Sequence, residues 1–369
     1  MINRIIALII KEFHAIWRDK KSRAVLIVPP IIQLFIFAFA ATLEVKNVTI
    51  GVINRDSGRQ SIELVERLQG TPMISHVVFL PTIESSKDFI DNQRGIGVIS
   101  IDSQFSKNLL TQRVANVQLL LDGRKSNASQ IFAGYVATII GQYNLDYAMQ
   151  AGIQLQPTEL VPRNWFNPNL LYYWFNIPSL SGILTLLVAL ILTALSVARE
   201  RELGTFDQLL VSPVSSVEIL IGKLLPSIFI SMLEGSFIIF AAVFIFNIPF
   251  TGSLVLLYLS MFLFVSCIVG VGLFISSLCK TQQQAILGSS LFMTPSIILS
   301  GFATPIENMP AWLQPFTYLV PLRYYLIIAK GIFLKEMPID LVLSNLWPLA
   351  IIAVLTLWAA TWFFHHKLE

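Results

Sequence analysis

Apolar runs long enough to cross a bilayer recur along this chain, and one long stretch of different texture separates the first from the rest. A crossing needs about 20 mostly apolar residues. The first run is Ala24–Leu43, with Pro29 and Pro30 near its start. Asn176–Ala198, Leu224–Phe246, Ser253–Leu278, Ala285–Phe302 and Leu346–Phe364 follow, so six spans are expected. A further apolar run, Thr317–Leu334, carries Pro321, Arg323 and Lys330. Charges near a bilayer centre are costly, so this run is expected to dip into the outer leaflet or lie on it, within an external segment 303–345.

The stretch Glu44–Tyr173 reads as soluble. Val48–Ile53, Val77–Leu80, Gly95–Ile101 and Val117–Leu121 are short aliphatic runs that suit buried strands. Helical spacing separates them, over Ile62–Leu68, Ile83–Ile90 and Phe105–Leu110, with Asp102 as the expected N-cap of the third helix. Ile131, Tyr135, Ile139 and Leu145 mark a longer fourth helix. The alternation predicts a compact α/β domain over 44–173. Its roles could be docking an external partner, gating an exit, or spacing. Trp165, Tyr172, Tyr173, Trp174 and Phe175 suit the interface where the chain re-enters lipid.

Charge sets the orientation. Arg4, Lys11, Arg18, Lys20, Lys21 and Arg23 precede the first span against Glu12 and Asp19, which places the N-terminus in the cytoplasm. Six crossings return His365, His366 and Lys367 to that side, along with Arg199, Arg201, Lys223 and the turn at Lys280. The 44–173 domain is then extracytoplasmic. Within residues 1–23, Ile5, Ile9, Phe13, Ile16 and Trp17 share one helical face, and Arg4, Lys11, His14 and Arg18 the other. Such a helix lies in the headgroup region, or simply extends the first span into the cytoplasm.

Composition agrees: 55% of the residues are hydrophobic and 13% charged, where soluble domains carry about 25% charged residues. The net charge of +3 is too small to argue for nucleic acid. Cys267 and Cys279 lie in or beside one apolar run, and the four histidines show no metal-ligand spacing. No cleavable signal peptide is expected, because the segment before the first apolar run is too long for an n-region.

The stretch 199–223 carries the densest punctuation. Thr205 and Gln208 fit a capping box, with Asp207 in the first turn; Pro213 stops that helix soon after Val211; Ser215 and Glu218 form a second box. A helix end, a turn at Gly204, a short helix and a new start make an elbow that can transmit force between two membrane helices, or an ordinary connector.

This elbow resembles that of the ABC-2 type transporter permeases at Glu200, Arg201, Glu202, Gly204, Thr205, Gln208, Leu209, Leu210, Ser212 and Pro213, followed by Gly222 and Lys223. A second match covers Leu299–Gly301, Pro305, Asn308–Pro310, Trp312, Leu313, Pro321 and Arg323. Leu121–Gly123 and Ser126–Asn127 resemble the subfamily with a large external domain. The resemblance spans essentially the whole chain. It implies an all-α polytopic membrane protein of six spans with an inserted extracytoplasmic α/β domain, in a bacterial inner membrane. It further implies that the short helix couples to a separate ATP-binding subunit, with Glu200 and Glu202 as polar contacts. A second copy or a paralogue completes the transporter, and an external adaptor (a membrane fusion protein) can extend the route. ATP and Mg then belong to the partner, and this chain needs no cofactor.

No phosphate-binding loop is present: Lys223 is followed by Leu224, and Val217 stands where the first glycine would be. No hydrolase motif occurs, and the chain is expected not to be an enzyme. Glu234, near the middle of the third span, is a costly charge there. It could line a central cavity, bind a cationic substrate, move a proton, or be a protonated side chain bonded to a neighbouring helix. Glu234 and Arg323 are the candidate pathway residues, and the sparse polar lining points to an amphipathic or lipophilic cargo, drug-like or lipid-like. An ion-driven transporter would need paired intramembrane charges or repeats, and a non-transporting scaffold is the other rival.

Overall fold

The computed structural model describes residues 2–18, 20–39, 47–152, 166–167, 171–205 and 214–366. The chain divides into two compact units, one of Met1–Thr42 with Arg163–Glu369 and one of Leu43–Pro162. The first unit opens with α1 (Ile2–Arg18) and α2 (Lys20–Phe39). The helix α2 begins ahead of the apolar run because Lys and Arg are good helix formers and nothing before Ala24 stops it. Pro29 and Pro30 therefore lie inside α2 and not at its start.

In the second unit, β1 (Val48–Asn54), α3 (Arg59–Gln69), β2 (Ile74–Phe79), α4 (Glu84–Asp91), β3 (Gly97–Ile101), α5 (Phe105–Leu110), β4 (Val117–Leu121) and α6 (Ser126–Gln150) follow in order. The sheet order is β2-β1-β3-β4, parallel except for the antiparallel β3–β4 pair. Its central strands are covered on both faces, which is why β1 and β3 read as continuous apolar runs. Ile50, Val52 and Ile99 pack with Leu64, Leu68, Phe132 and Tyr143 on one face, and Ile53, Val98 and Phe89 on the other. Asp102 does not cap α5: Gln104 holds that position, and the Asp102 carboxylate takes the Ser103 amide in the preceding turn. Asp122 turns β4 into α6, its carboxylate accepting from the Arg124 amide at 3.0 Å and from Arg124 Nε at 2.9 Å.

The first unit resumes with α7 (Tyr172–Glu202), α8 (Ser216–Phe244), α9 (Leu254–Leu278), α10 (Gln282–Leu299), α11 (Pro321–Lys335) and α12 (Ile339–His366). The Ser215 capping box is formed: Ser215 Oγ accepts the Glu218 amide at 3.4 Å, and Glu218 Oε2 accepts the Ser215 amide at 2.9 Å. The deeply buried helix is α7, which packs against α2, α8, α9, α10 and α11. Small residues let its neighbours close on it; a Cβ at Gly272 of α9 would stand 1.8 Å from Thr193 Oγ1. By contrast α8 and α12 expose Leu225, Phe240, Phe244, Trp347 and Trp358, the arrangement expected of surfaces that face lipid.

Among the described residues, α7, α8, α9 and α12 are long and apolar enough to cross a membrane, and the chain is a mostly helical polytopic membrane protein. The run 317–334 splits into a 3-10 helix, Gln314–Leu319, and α11. At 1.5 Å per residue, the fifteen residues of α11 reach about 22 Å, short of the roughly 30 Å of a hydrocarbon core.

Candidate functional site

The helix α7 ends at the root of the elbow. Gly204 adopts a left-handed φ of 69°. The Gly204 amide donates to Arg201 O at 3.1 Å and the Thr205 amide to Glu200 O at 3.0 Å, the paired bonds of a Schellman stop. Gln208, Leu209, Leu210, Ser212 and Pro213 lie outside the described residues, as does Trp165.

The last turn of α7 is tied in three directions by consecutive side chains. Glu200 faces α8 and α1: its Oε2 is 2.8 Å from Lys223 Nζ, an ion pair outside hydrogen-bond alignment, and its Oε1 accepts from Lys11 Nζ. Arg201 Nη1 donates to Ser277 O at 2.7 Å and Cys279 O at 3.2 Å, placing a cation on the C-terminal carbonyls of α9. Glu202 Oε2 accepts the Gln282 amide at 2.7 Å, placing an anion at the first turn of α10. Each side chain thus has a partner within the chain. One turn earlier, Ser276 Oγ of α9 accepts the Val197 and Ala198 amides at 3.1 Å and donates to Ala194 O at 2.5 Å.

Lys223 is only 3% exposed, and Glu12 Oε1 of α1 is its second anion, at 2.9 Å. Lys11, Glu12, Glu200 and Lys223 form a network of two cations and two anions in which each of the four charges faces an opposite one. Beside it, Gly222 allows α1 to approach: a Cβ there would stand 2.6 Å from Leu8 Cβ. The Arg199 guanidinium donates to Ala15 O at 2.9 Å. The helix α1 therefore packs along α8, with Phe13 edge-on to Phe229 at 5.8 Å. Its Ile2, Ile6, Ile10 and Trp17 remain exposed. The roles of Lys11, Glu12, Ser276 and Gln282 were not signalled in the sequence; Gly222 and Lys223 were, as part of the elbow pattern.

Glu234 lines a cavity of about 460 Å³ bounded by α1, α2, α7 and α8. Phe13, Trp17, Leu34, Phe229 and Phe237 make the walls apolar, and among the described residues Glu234 is the one ionisable side chain that lines it. Neither carboxylate oxygen has a hydrogen-bond partner among the described residues, nor do Ser231 Oγ one turn earlier or Thr185 Oγ1 on α7. Arg323 is elsewhere, on α11, bonded to Thr317 Oγ1 and lying 4.1 Å from the Tyr318 ring. The structure does not bring the two candidate pathway residues together in that cavity.

A family model described as ABC-2 family transporter protein matches residues 20–362. The chain is 42% identical over 367 residues, covering 100% of both, to "Probable multidrug ABC transporter permease YbhR" of Escherichia coli (strain K12). It is 31% identical over 356 residues to "Probable multidrug ABC transporter permease YbhS" of the same organism, covering 94% of this chain and 93% of that one. With "ABC transporter G family member 20" of Dictyostelium discoideum it shares 25% identity over 363 residues, 94% of this chain but 50% of that protein. A match of this extent, on a chain with apolar helices long enough to cross a membrane, has one consequence. The chain belongs to the ABC-2 family of transporter proteins, as a permease subunit of an ABC transporter.

Proposed function

We propose that the chain is the six-span permease of a bacterial inner-membrane exporter that moves an amphipathic or lipophilic cargo outward, driven by a separate ATP-binding subunit. In this reading α2 and α10 add two crossings to α7, α8, α9 and α12, both termini are cytoplasmic, and the 44–173 domain lies outside. The segment 206–213 rests on the ATPase, a second copy or paralogue of the chain completes the pathway, and an adaptor can receive cargo at the external domain. The multidrug names of the Escherichia coli relatives support the cargo class.

One observation carries the coupling part: Glu200, Arg201 and Glu202, consecutive at the elbow root, tie it to α1 and α8, to α9 and to α10. A displacement of the elbow then moves four helices at once. On this account the three residues anchor the elbow within the permease, and the ATPase contact falls to the segment beyond Thr205. Tagged chain purified from its native membrane tests this. The ATP-binding subunit should co-purify with the intact chain and be lost when Phe206–Val211 is deleted. If no ATPase accompanies the intact chain in several mild detergents, the reading fails.

A further inference from the structure

We propose that the cavity bounded by α1, α2, α7 and α8 is a binding site for lipophilic organic monocations, with Glu234 as its anionic determinant. The inference deepens the export reading by naming its cargo class, but binding itself needs no ATPase.

The cavity of about 460 Å³ is within the roughly 300–1,000 Å³ usual for small-molecule sites. Its walls are aromatic and aliphatic, and among the described residues no basic side chain lines it beside Glu234. On α1, Lys11 is committed to Glu200. A carboxylate with neither oxygen hydrogen-bonded among the described residues is the feature that an apolar cavity would otherwise exclude. Ser227 and Ser236 of α8 return their hydroxyls to Lys223 O and Met232 O, as serines in membrane helices can. Ser231, one turn from Glu234, makes no such bond among the described residues.

The chemistry selects the occupant. An acyl chain or a neutral drug fills the apolar volume but leaves the carboxylate uncompensated. A small inorganic cation compensates the charge but loses its hydration in an apolar cavity. A delocalised cation with aromatic substituents satisfies both demands, and Phe13, Trp17, Phe229 and Phe237 add ring faces and edges that attract it.

The test uses the full chain in nanodiscs of uncharged lipid, with tetraphenylphosphonium as the probe in equilibrium dialysis. Saturable binding near one probe per chain is expected. Glu234→Gln should weaken it at least tenfold, and Glu234→Asp less. Neither tetraphenylborate nor the neutral triphenylphosphine oxide should compete. Equal binding by Glu234→Gln, or full competition by the neutral compound, would mean an acyl-chain groove only and would overturn the site. Should Glu234→Gln fail to fold, the native chain still decides: tetraphenylphosphonium should protect Glu234 from dicyclohexylcarbodiimide, read by mass spectrometry, and absence of protection counts against the site. Loss of ATPase co-purification with probe binding intact would sink the export reading alone.

Discussion

The Lys223 ammonium lies 2.8 Å from Glu200 Oε2 and 2.9 Å from Glu12 Oε1, so a single buried cation joins the last turn of α7 to the amphipathic α1. Removing one partner of a buried pair costs about 3–5 kcal/mol, because the other charge is left uncompensated. Lys223→Met should therefore destabilise the chain by about 3 kcal/mol, read as a lowered thermal midpoint in detergent. Adding Glu12→Gln should recover part of that loss. A midpoint unchanged by Lys223→Met would show that the pair stabilises nothing.

Gly222 sets how closely α1 can approach α8. The atom that a new Cβ would strike is Leu8 Cβ, at 2.6 Å, which no rotamer change can move. Gly222→Ala is expected to lift α1 and speed hydrogen exchange of its amides. Leu8→Ala keeps the offending atom and should not rescue, whereas Leu8→Gly should restore part of the protection. Wild-type exchange in Gly222→Ala would contradict the packing.

Ser276 makes three bonds to the α7 backbone just before the elbow root. Losing one partner of a buried hydrogen bond costs about 1–3 kcal/mol. Ser276→Ala should cost that much, and exchange at the Val197 and Ala198 amides should rise by tenfold or more. If those two amides keep their protection, the contact is incidental.

The unit of β1–β4 and α3–α6 should respond to acid. The Arg124 side chain holds the Asp122 carboxyl below the usual carboxylate range. At Asp56 burial pushes upward, but bonds from the Ser106 hydroxyl and amide, with those from Ser61 and Gly58, together bring the net direction down. A depressed folded value adds stability above the unfolded value of about 3.9 that disappears as pH falls through the folded one. Exchange protection over 47–152, corrected for intrinsic rates, should hold from pH 8 to about 5 and fall below about 4. Asp122→Asn should flatten that acid limb; an unchanged limb would remove Asp122 from it.

Much of the fold was legible because burial writes a period into the sequence. The strands β1, β3 and β4 and the helices α3 to α6 follow apolar spacing, and α8 starts at a capping box that Ser215 and Glu218 announce. Boundaries drifted where no local signal stops an element. The helix α2 runs back through charged residues to Lys20, and β2 begins at Ile74 because β1 offers it a partner there. The site was legible only in part. Glu200, Arg201, Glu202, Gly222 and Lys223 could be picked out as a pattern, but not as a lock. Their partners Glu12, Ser277 and Gln282 lie far away in sequence, and pairing at such range leaves no periodic trace.

The most direct test of the coupling account is cargo-stimulated ATP hydrolysis by the reconstituted complex carrying Arg201→Ala, which removes the bonds from the elbow root to Ser277 and Cys279 at the end of α9 while leaving 206–213 intact. The account predicts that the ATP-binding subunit stays bound at native stoichiometry while the stimulation falls at least tenfold. Full stimulation in that variant would contradict the elbow root as the element that carries force into the membrane helices.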